Sequence, residues 1–327
     1  MRYLNNLYKY IVFAMSVFMV TQNIYAVTIE ELSTICQEME SAVSDISLEY
    51  EWYNIPPWTV EEGEAKLGLS GFLAIKDGVE RIKLSAEGLS SIRDANSKDG
   101  PFPSKLLIET SGSVVDKHKR TWEYMRVNSY DGKKMTRFQN DGWPTRKSEG
   151  NISNNKHFDL PLTLTPLGFT VLRPSLSKIT GKPFSVILKE DQNNIRLDET
   201  IQNINGFNVI CIELLESMRK NPYMRIYLST NHGYTPVRYE YLQGSKSGSV
   251  EATITVDVQA LERVYEKLWF PSSGTITTKA SERIDAYAAN KIVINQGLAE
   301  KDFKVEFPAG TIVRDEIQKK EYVVKAE

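Results

Sequence analysis

The chain has 327 residues, of which 41% are hydrophobic, and its formal net charge is −2 at pH 7. This balance, with no basic run longer than Lys117-His-Lys-Arg120, argues against nucleic acid as a partner. Two cysteines and three histidines are too few for a disulfide framework or a histidine-rich metal cluster.

Residues 1–26 have the pattern of a secretory signal peptide. Arg2 and Lys9 provide a positive start, an apolar run follows, and Ala26 suits the position before cleavage. The apolar run is well short of the ~20 residues that span a bilayer. No cysteine stands just after the cleavage point to accept a lipid. We therefore expect a periplasmic or secreted protein that is soluble and not lipidated after cleavage, with residues 27–327 forming a single domain.

The next part of the chain predicts a helix followed by strands. Thr28-Ile-Glu-Glu31 is a capping-box pattern, and apolar residues then recur at spacings of three and four. We predict a helix from Thr28 to about Asp45 that packs its apolar stripe on a sheet, and a first strand at Leu48–Tyr53. Asp77-Gly78 and Asp131-Gly132 are both hairpin turn signals.

The middle of the chain alternates between loop, apolar and strand patterns. Residues 140–157 are polar and typical of a loop. Pro161–Ile179 is apolar, and its prolines exclude a long unbroken helix, so short helical pieces forming a lid are expected. Strand patterns then predict the following segments: Phe184–Glu190, Ile195–Ile201, Phe207–Leu215, Arg225–Ser229, Val237–Tyr241, Val250–Val258 and Phe303–Phe307.

Together these elements predict an α+β fold that is mainly β, with roughly eleven to thirteen strands. Because the connections are short, most neighbouring strands should be antiparallel. We expect one curved antiparallel sheet or half-open β-barrel, with the N-terminal helix and the short helical lid on its concave side.

Side chains that could carry chemistry are scarce. His118, His157 and His232 lie in polar loops or turns without a second ligand at metal-binding spacing. Cys36 and Cys211 have no neighbouring cysteine or histidine, and the sequence leaves open whether they pair. We predict no catalytic residue, no metal site and no cofactor.

Two polar motifs have simple interpretations. Asp315-Glu316 is expected to be a solvated turn, although carboxylates elsewhere could in principle form a glycosidase-like pair across a cleft. Asn151-Ile-Ser153 matches an N-glycosylation acceptor, which matters only in a eukaryotic secretory pathway.

Aromatic residues are the most informative group, because many occupy alternate strand positions. Ordinary β core explains this pattern, since aromatic residues favour sheets. The alternative is the wall of a cavity for an acyl chain or another apolar ligand. The candidate cavity residues are Trp52, Trp122, Tyr124, Leu167, Val171, Leu172, Leu176, Tyr227 and Tyr239.

Four motifs resemble the LolA/LolB/LppX-like superfamily of bacterial envelope proteins, in a large and mostly uncharacterised exported branch. They are Tyr130-Asp-Gly-Lys133 at a hairpin, the strand–turn–strand segment Ile226–Glu240, Leu268-Trp-Phe-Pro271, and the segment Phe303–Asp315. The resemblance implies a half-open barrel, closed by helices, whose apolar interior receives acyl chains without any bond chemistry.

The function that this resemblance implies is that of a non-catalytic exported envelope protein that binds a lipid or a lipoprotein acyl chain, as a carrier does. Its partners would be a lipid or an acylated protein, with transient contact to a membrane surface or an envelope protein. An envelope sensor or protein-interaction module on the same fold, as in RseB-like regulators, is the alternative. A secreted hydrolase is a third hypothesis.

Overall fold

The computed structural model describes most of the chain outside its N-terminal segment. Two segments lie outside the described residues: residues 1–26, expected to be a signal peptide, and the apolar segment Pro161–Ile179. The second contains the candidate cavity residues Leu167, Val171, Leu172 and Leu176. The described ranges are 27–55, 74–85, 105–115, 121–142, 147–154, 184–216, 221–244, 250–281 and 283–326.

The described residues form one fifteen-stranded sheet. The first six strands are β1 (Asp45–Ile55), β2 (Ala74–Ser85), β3 (Lys105–Val115), β4 (Thr121–Tyr130), β5 (Met135–Asn140) and β6 (Glu149–Ser153). The next seven are β7 (Ile195–Ile204), β8 (Phe207–Leu215), β9 (Pro222–Ser229), β10 (Thr235–Gly244), β11 (Val250–Tyr265), β12 (Leu268–Thr278) and β13 (Arg283–Ile294). The last two are β14 (Ile312–Asp315) and β15 (Lys320–Val323).

Two meanders build this sheet. Strands β1 to β6 follow one another in space, as do β7 to β13, and the two series join where β1 pairs with β13. Every pair is antiparallel except β6 with β14, which run parallel. The sheet is curved and open, with β7 and β15 at its edges. The predicted α+β, mainly β class with a curved antiparallel sheet is confirmed.

Helix α1 (Ile29–Ser41) confirms the predicted N-terminal helix, although it ends earlier than expected. The Thr28 hydroxyl accepts from the Glu31 amide at 3.1 Å, and the Glu31 carboxylate accepts from the Thr28 amide at 2.8 Å. This capping box pairs two amides that the first turn of a helix leaves free. The chain leaves the helix at Ala42 and enters β1 at Asp45.

A cluster of polar contacts fixes the end of α1 to the end of β13. Asn295 donates its side-chain amide to the Ala42 carbonyl at 2.9 Å and accepts from the Ser44 amide at 2.7 Å. The buried Asp45 carboxylate accepts from three successive backbone amides, those of residues 296, 297 and 298, at 2.8, 2.8 and 3.3 Å. The N-terminal helix is thereby tied to a segment far along the chain.

The main core lies between the helices and the concave face of the sheet. Leu32 of α1 and Tyr50, Tyr239 and Tyr241 of the sheet each keep at most 1% of their surface exposed. A side chain that bordered a water-sized cavity would retain more accessible surface than this. Side chains therefore fill this part of the space between α1 and the sheet.

Phe184–Glu190 is a helix, α2, and the strand predicted there is wrong. Phe184, Ile187 and Leu188 are all buried in the main core, at the spacing of one helical face. The segment is short and contains valine and isoleucine, so its local sequence favours a strand about as well as a helix. Packing against α1 selects the helix.

Asp77-Gly78 is not a hairpin turn, because β2 runs continuously through it. The register of β2 with β3 shifts between Lys76 and Val79, so the two residues form a bulge within the strand. The Asp131-Gly132 hairpin is confirmed between β4 and β5. The predicted loop at residues 140–157 contains a strand, β6, which pairs with β5 on one side and β14 on the other.

Phe303–Phe307 also is not a strand. A short 3-10 turn spans Glu300–Phe303, Lys304 after it is extended, and residues 304–308 belong to no strand. Phe303, Val305 and Phe307 pack against the outer face of the sheet, in a cluster with Leu107, Val127 and Phe138. The alternation of apolar and polar residues does reflect burial of one side, but the burial comes from packing on a sheet face rather than from strand pairing.

Cys36 and Cys211 are both buried free thiols. Cys36 belongs to the main core on the concave side, whereas Cys211 belongs to a separate cluster with Val209 and Tyr227 on the opposite, convex face. Burial raises the pKa of the Cys211 thiol to about 12, with a further contribution from the Glu213 carboxylate. Neither thiol is placed to pair with the other.

Candidate functional site

Trp122 and Tyr124 lie on the concave face of β4. They are separated from Tyr130 by even numbers of positions, so they lie on the same face as Tyr130. Tyr130 belongs to the main core at the other end of the strand. Tyr130 is opposite Leu106, close to the end of the sheet that α1 covers, whereas Trp122 is opposite Val114 at the far end. Tyr124 is buried and Trp122 is half-buried. These two candidate residues therefore share one face beyond the helix-packed core.

Tyr239 and Tyr227, by contrast, lie on opposite faces of the sheet. Tyr239 is 1% exposed within the main core, and Tyr227 belongs to the convex cluster with Val237 and Val258. A bulge at Val237 shifts the register of β10 against β9 and changes which residues share a face. The structure thus brings Trp122 and Tyr124 together but separates Tyr227 from them.

Trp52 occupies β1 opposite Gly78 on one side and Tyr287 on the other. Its side chain lies outside the described residues. Its backbone position is in the half of the strand that points away from α1, because β1 begins beside the helix at Asp45.

An aromatic pair lines the middle of the concave face. The rings of Tyr50 and Tyr287 meet edge to face, with their centroids 5.6 Å apart, and the Tyr50 hydroxyl donates to the Pro271 carbonyl at 3.2 Å. The Tyr287 ring extends over Gly274, where a Cβ atom would lie 2.7 Å from its Cζ. Glycine at this position leaves room for the end of the tyrosine side chain close to the backbone.

The two helices are joined by a half-buried carboxyl group. Glu40 of α1 accepts from the Ser185 amide at 3.1 Å and from the Ser185 hydroxyl, and the Ser33 hydroxyl donates to the Ser185 carbonyl at 2.9 Å. Burial raises the pKa of Glu40 to about 7, although the hydrogen bonds from Ser185 and Phe184 act to lower it. This contact holds the first turn of α2 on α1.

The raised pKa of Glu40 predicts that the free energy of unfolding depends on pH. Its pKa of about 7 in the folded protein exceeds the ordinary value of 4.5, so the folded protein binds this proton more tightly than the unfolded chain does. The contribution of the protonated Glu40 to the free energy of unfolding is fully present below about pH 4.5. It is lost as the pH rises towards 7, and the loss is a few kcal/mol at most. We expect Glu40→Gln to reduce this fall in the free energy of unfolding, measured by urea titrations between pH 5 and 8. Glu38→Gln, an exposed carboxyl group on the same helix, is the control. An unchanged slope in Glu40→Gln would contradict the assignment.

A row of paired charges crosses the convex face from β7 to β11. Glu213 accepts from Arg225 at 2.8 Å and from Arg196, and Arg238 lies 3.2 Å from Glu240 and 3.3 Å from Asp257. Burial would raise the pKa of Glu213, but hydrogen bonds from the two arginines outweigh it and the pKa is lowered. The row holds three cations and three anions, so its charges balance.

This charged row is the nearest approach to a carboxylate constellation among the described residues. Glu213, Glu240 and Asp257 lie on one sheet face, with Arg225 and Arg238 between them, rather than on opposite walls of a cleft. A glycosidase needs two carboxyl groups that flank a space for the sugar. The arrangement suits cross-strand stabilisation better than hydrolysis.

Asp315 also differs from its predicted place in a solvated turn. It is 4% exposed, and its carboxylate accepts from the amides of Ile317 and Gln318 at 3.0 and 2.8 Å. The N-glycosylation motif at Asn151 lies in β6, and the Asn151 side chain donates to Glu316 at 2.8 Å.

Within the described ranges, no group of three or more His, Cys, Asp or Glu side chains is arranged to hold a metal ion.

His232 is half-buried rather than solvated. Its ring stands edge to face between Phe207 and Trp269, with centroids 5.4 and 4.7 Å apart, and its Nδ1 atom is 2.8 Å from the Ser229 hydroxyl. Ser229 is fully buried, so it is inaccessible to a substrate. The ring closes the end of the convex cluster and has a packing role.

A groove of about 600 Å³ opens beside the start of α1. Val27, Ile35 and Tyr234 supply its apolar surface, and Glu30, Glu31, Thr28 and Thr34 supply its polar surface. Glu31 is already engaged in the capping box. The groove has the size of a ligand pocket but lies open at the surface.

Comparison with known proteins identifies structural neighbours of low sequence identity. No protein-family model matches this chain, and no curated protein matches it. A domain from Vibrio parahaemolyticus, described as an outer membrane lipoprotein-sorting protein, is 12% identical, with 85% of this chain and 97% of that one covered and a TM-score of 0.39. A DUF1329 family protein from Desulfovibrio piger is 8% identical, with 84% and 95% covered and a TM-score of 0.37.

The fold class rests on the strand order and register of the chain itself. No described helix has the length and hydrophobicity that a membrane crossing would require.

Proposed function

We propose that this protein is a non-catalytic exported envelope protein that binds a lipid or a lipoprotein acyl chain against the concave face of its sheet, in the manner of a carrier. One observation carries the proposal: α1 packs the core at one end of an open curved sheet, and aromatic side chains continue along the same face beyond it. Burial of each CH₂ group gains about 0.8 kcal/mol, so such a face can compete with a membrane for an acyl chain.

The export pattern of residues 1–26 and the resemblance of Ile226–Glu240 to envelope carriers support the same proposal. The charges of the convex face favour a non-catalytic role, because the carboxylates of Glu213 and Glu240 are held by Arg225. The acyl chain would contact the side of the sheet that carries Trp122 and Tyr124, and a lipid or an acylated protein would be the partner.

The test uses the protein purified after export in its natural form. Organic extraction followed by mass spectrometry should recover a bound lipid, and delipidated protein should bind a fluorescent long-chain fatty acid. Trp122→Ala should weaken that binding by at least about fivefold, because it removes a large apolar contact. Trp269→Ala is the matched control, since Trp269 packs against His232 at the convex cluster. Absence of both bound lipid and fatty-acid binding, or equal effects of the two substitutions, would overturn the proposal.

A further inference from the structure

Among the described residues, the last strand, β15, is an open edge of the sheet. All four of its residues are exposed, and β14 is its partner on one side. Five large hydrophobic side chains are exposed among the described residues, and three of them lie on this hairpin: Ile317 at 43%, Tyr322 at 38% and Val323 at 55%. An open edge with exposed apolar side chains is a template for pairing with another strand.

The hydrogen bonds of Val324 show which backbone groups face the open edge. Its amide donates to the Thr311 carbonyl at 3.0 Å, and its carbonyl accepts from the Gly310 amide at 2.8 Å. Backbone groups of an extended chain alternate in direction, so the amides and carbonyls of Glu321, Val323 and Lys325 point away from β14. These three residues are available to pair with another chain.

We propose that a second copy of this chain pairs antiparallel with β15 about a twofold axis at Val323. A twofold antiparallel pair must place one residue opposite its own counterpart, because hydrogen-bonded and non-hydrogen-bonded pairs alternate. With Val323 at the centre, Tyr322 of each copy lies opposite Val324 of the other. Glu321 of each copy then lies opposite Lys325 of the other, so two ion pairs flank an apolar centre.

Charge selects this register over the two registers centred on the next outward-facing residues. An axis at Glu321 would place two glutamates side by side, and an axis at Lys325 would do the same with two lysines; both arrangements are destabilising. The register at Val323 pairs every outward backbone group of residues 321, 323 and 325, giving about six main-chain hydrogen bonds. Lysines commonly protect open edges from pairing, but Lys325 has a carboxylate partner in this register. The proposal is independent of whether the concave face binds lipid.

Sedimentation equilibrium of the exported protein over the micromolar range tests the dimer. Glu321→Lys and Lys325→Glu should each raise the dimer dissociation constant by at least about fivefold, because the twofold axis doubles every charge change. The double substitution Glu321→Lys with Lys325→Glu should restore it to within about threefold of the original value. Lys320→Glu is the matched control with the same charge change, since Lys320 would face the uncharged Ala326.

A crosslink gives a second readout that does not depend on affinity. Val323→Cys should form an intermolecular disulfide on mild oxidation, because directly opposite residues of a hydrogen-bonded pair have Cα atoms about 5.5 Å apart. Lys320→Cys should not. Recovery by the double charge exchange together with the Val323→Cys crosslink would support the dimer. A monomer at every concentration, or a double variant no better than the single ones, would overturn it.

Discussion

Replacing Gly274 with alanine is expected to lower the free energy of unfolding by at least about 3 kcal/mol. A Cβ atom on Gly274 would collide with the Asp257 carbonyl of the neighbouring strand and with the Tyr287 side chain, 2.7 Å from its Cζ. The first of these neighbours is backbone held in the sheet, so it cannot move without breaking strand pairing. Urea denaturation of the two proteins measures the difference.

Gly150→Ala is the matched control. A Cβ there would lie 2.6 Å from the Phe307 ring, which is a side chain and can rotate away. We expect a smaller cost of about 1–2 kcal/mol, relieved in part when Phe307 is also replaced by alanine. The Gly274 cost should persist when Tyr287 is replaced by phenylalanine, because the clash with the Asp257 carbonyl remains. Equal costs at Gly274 and Gly150 would contradict this account.

Asp45→Ala is the second large effect, with an expected loss of about 3 kcal/mol or more. The Asp45 carboxylate is 4% exposed and accepts from the amides of Gln296, Gly297 and Leu298. Alanine would leave these amides without an acceptor where water has little access. Asparagine keeps one acceptor oxygen and should cost about half as much.

Asp131→Ala serves as the control for Asp45. The Asp131 carboxylate accepts from the amides of Lys133 and Lys134, both at 2.9 Å, in an exposed hairpin. Water can replace this acceptor, so we expect a cost below about 1 kcal/mol. Thermal melts of the three variants provide the comparison. A loss at Asp131 as large as that at Asp45 would show that burial of the amides is not the cause.

Local patterns predicted the elements whose own residues determine them. The capping box at Thr28 and the spacing of Leu32 and Cys36 identified α1, and β8 has the predicted bounds Phe207–Leu215. Helix α1 has one apolar stripe, β8 is apolar on both faces, and each has clear turn or capping signals at its ends. The curved antiparallel sheet followed from the short connections between such segments.

Local patterns failed where packing at a distance decides the outcome. Phe184–Glu190 becomes a helix because Glu40 and Ser33 hold its first turn, and both lie far away in the sequence. Asp77-Gly78 becomes a bulge because β1 and β3 pair with the strand on both sides. A turn dipeptide expresses only a local preference, which a sheet on either side can override.

The candidate site shows the same limit at the level of single side chains. Alternation correctly placed Trp122 with Tyr124, because β4 is regular throughout its pairing with β3. Alternation could not show that Tyr227 and Tyr239 lie on opposite faces. The bulge at Val237 causes this difference, and the residue types do not indicate the bulge. The burial of Tyr239 is equally invisible to local sequence, because it depends on a core assembled from segments far apart in the chain.

The pairing of β1 with β13 has a consequence for the order in which the chain folds. Each meander can form from neighbouring strands, whereas the pairing of β1 with β13 must wait for a strand made much later. Contacts between segments so distant in sequence form slowly, because a long loop must close first. A polypeptide that crossed a membrane from its N-terminus would therefore join its two meanders only after most of its final third had crossed, when Asp45 also meets the turn at Gly297.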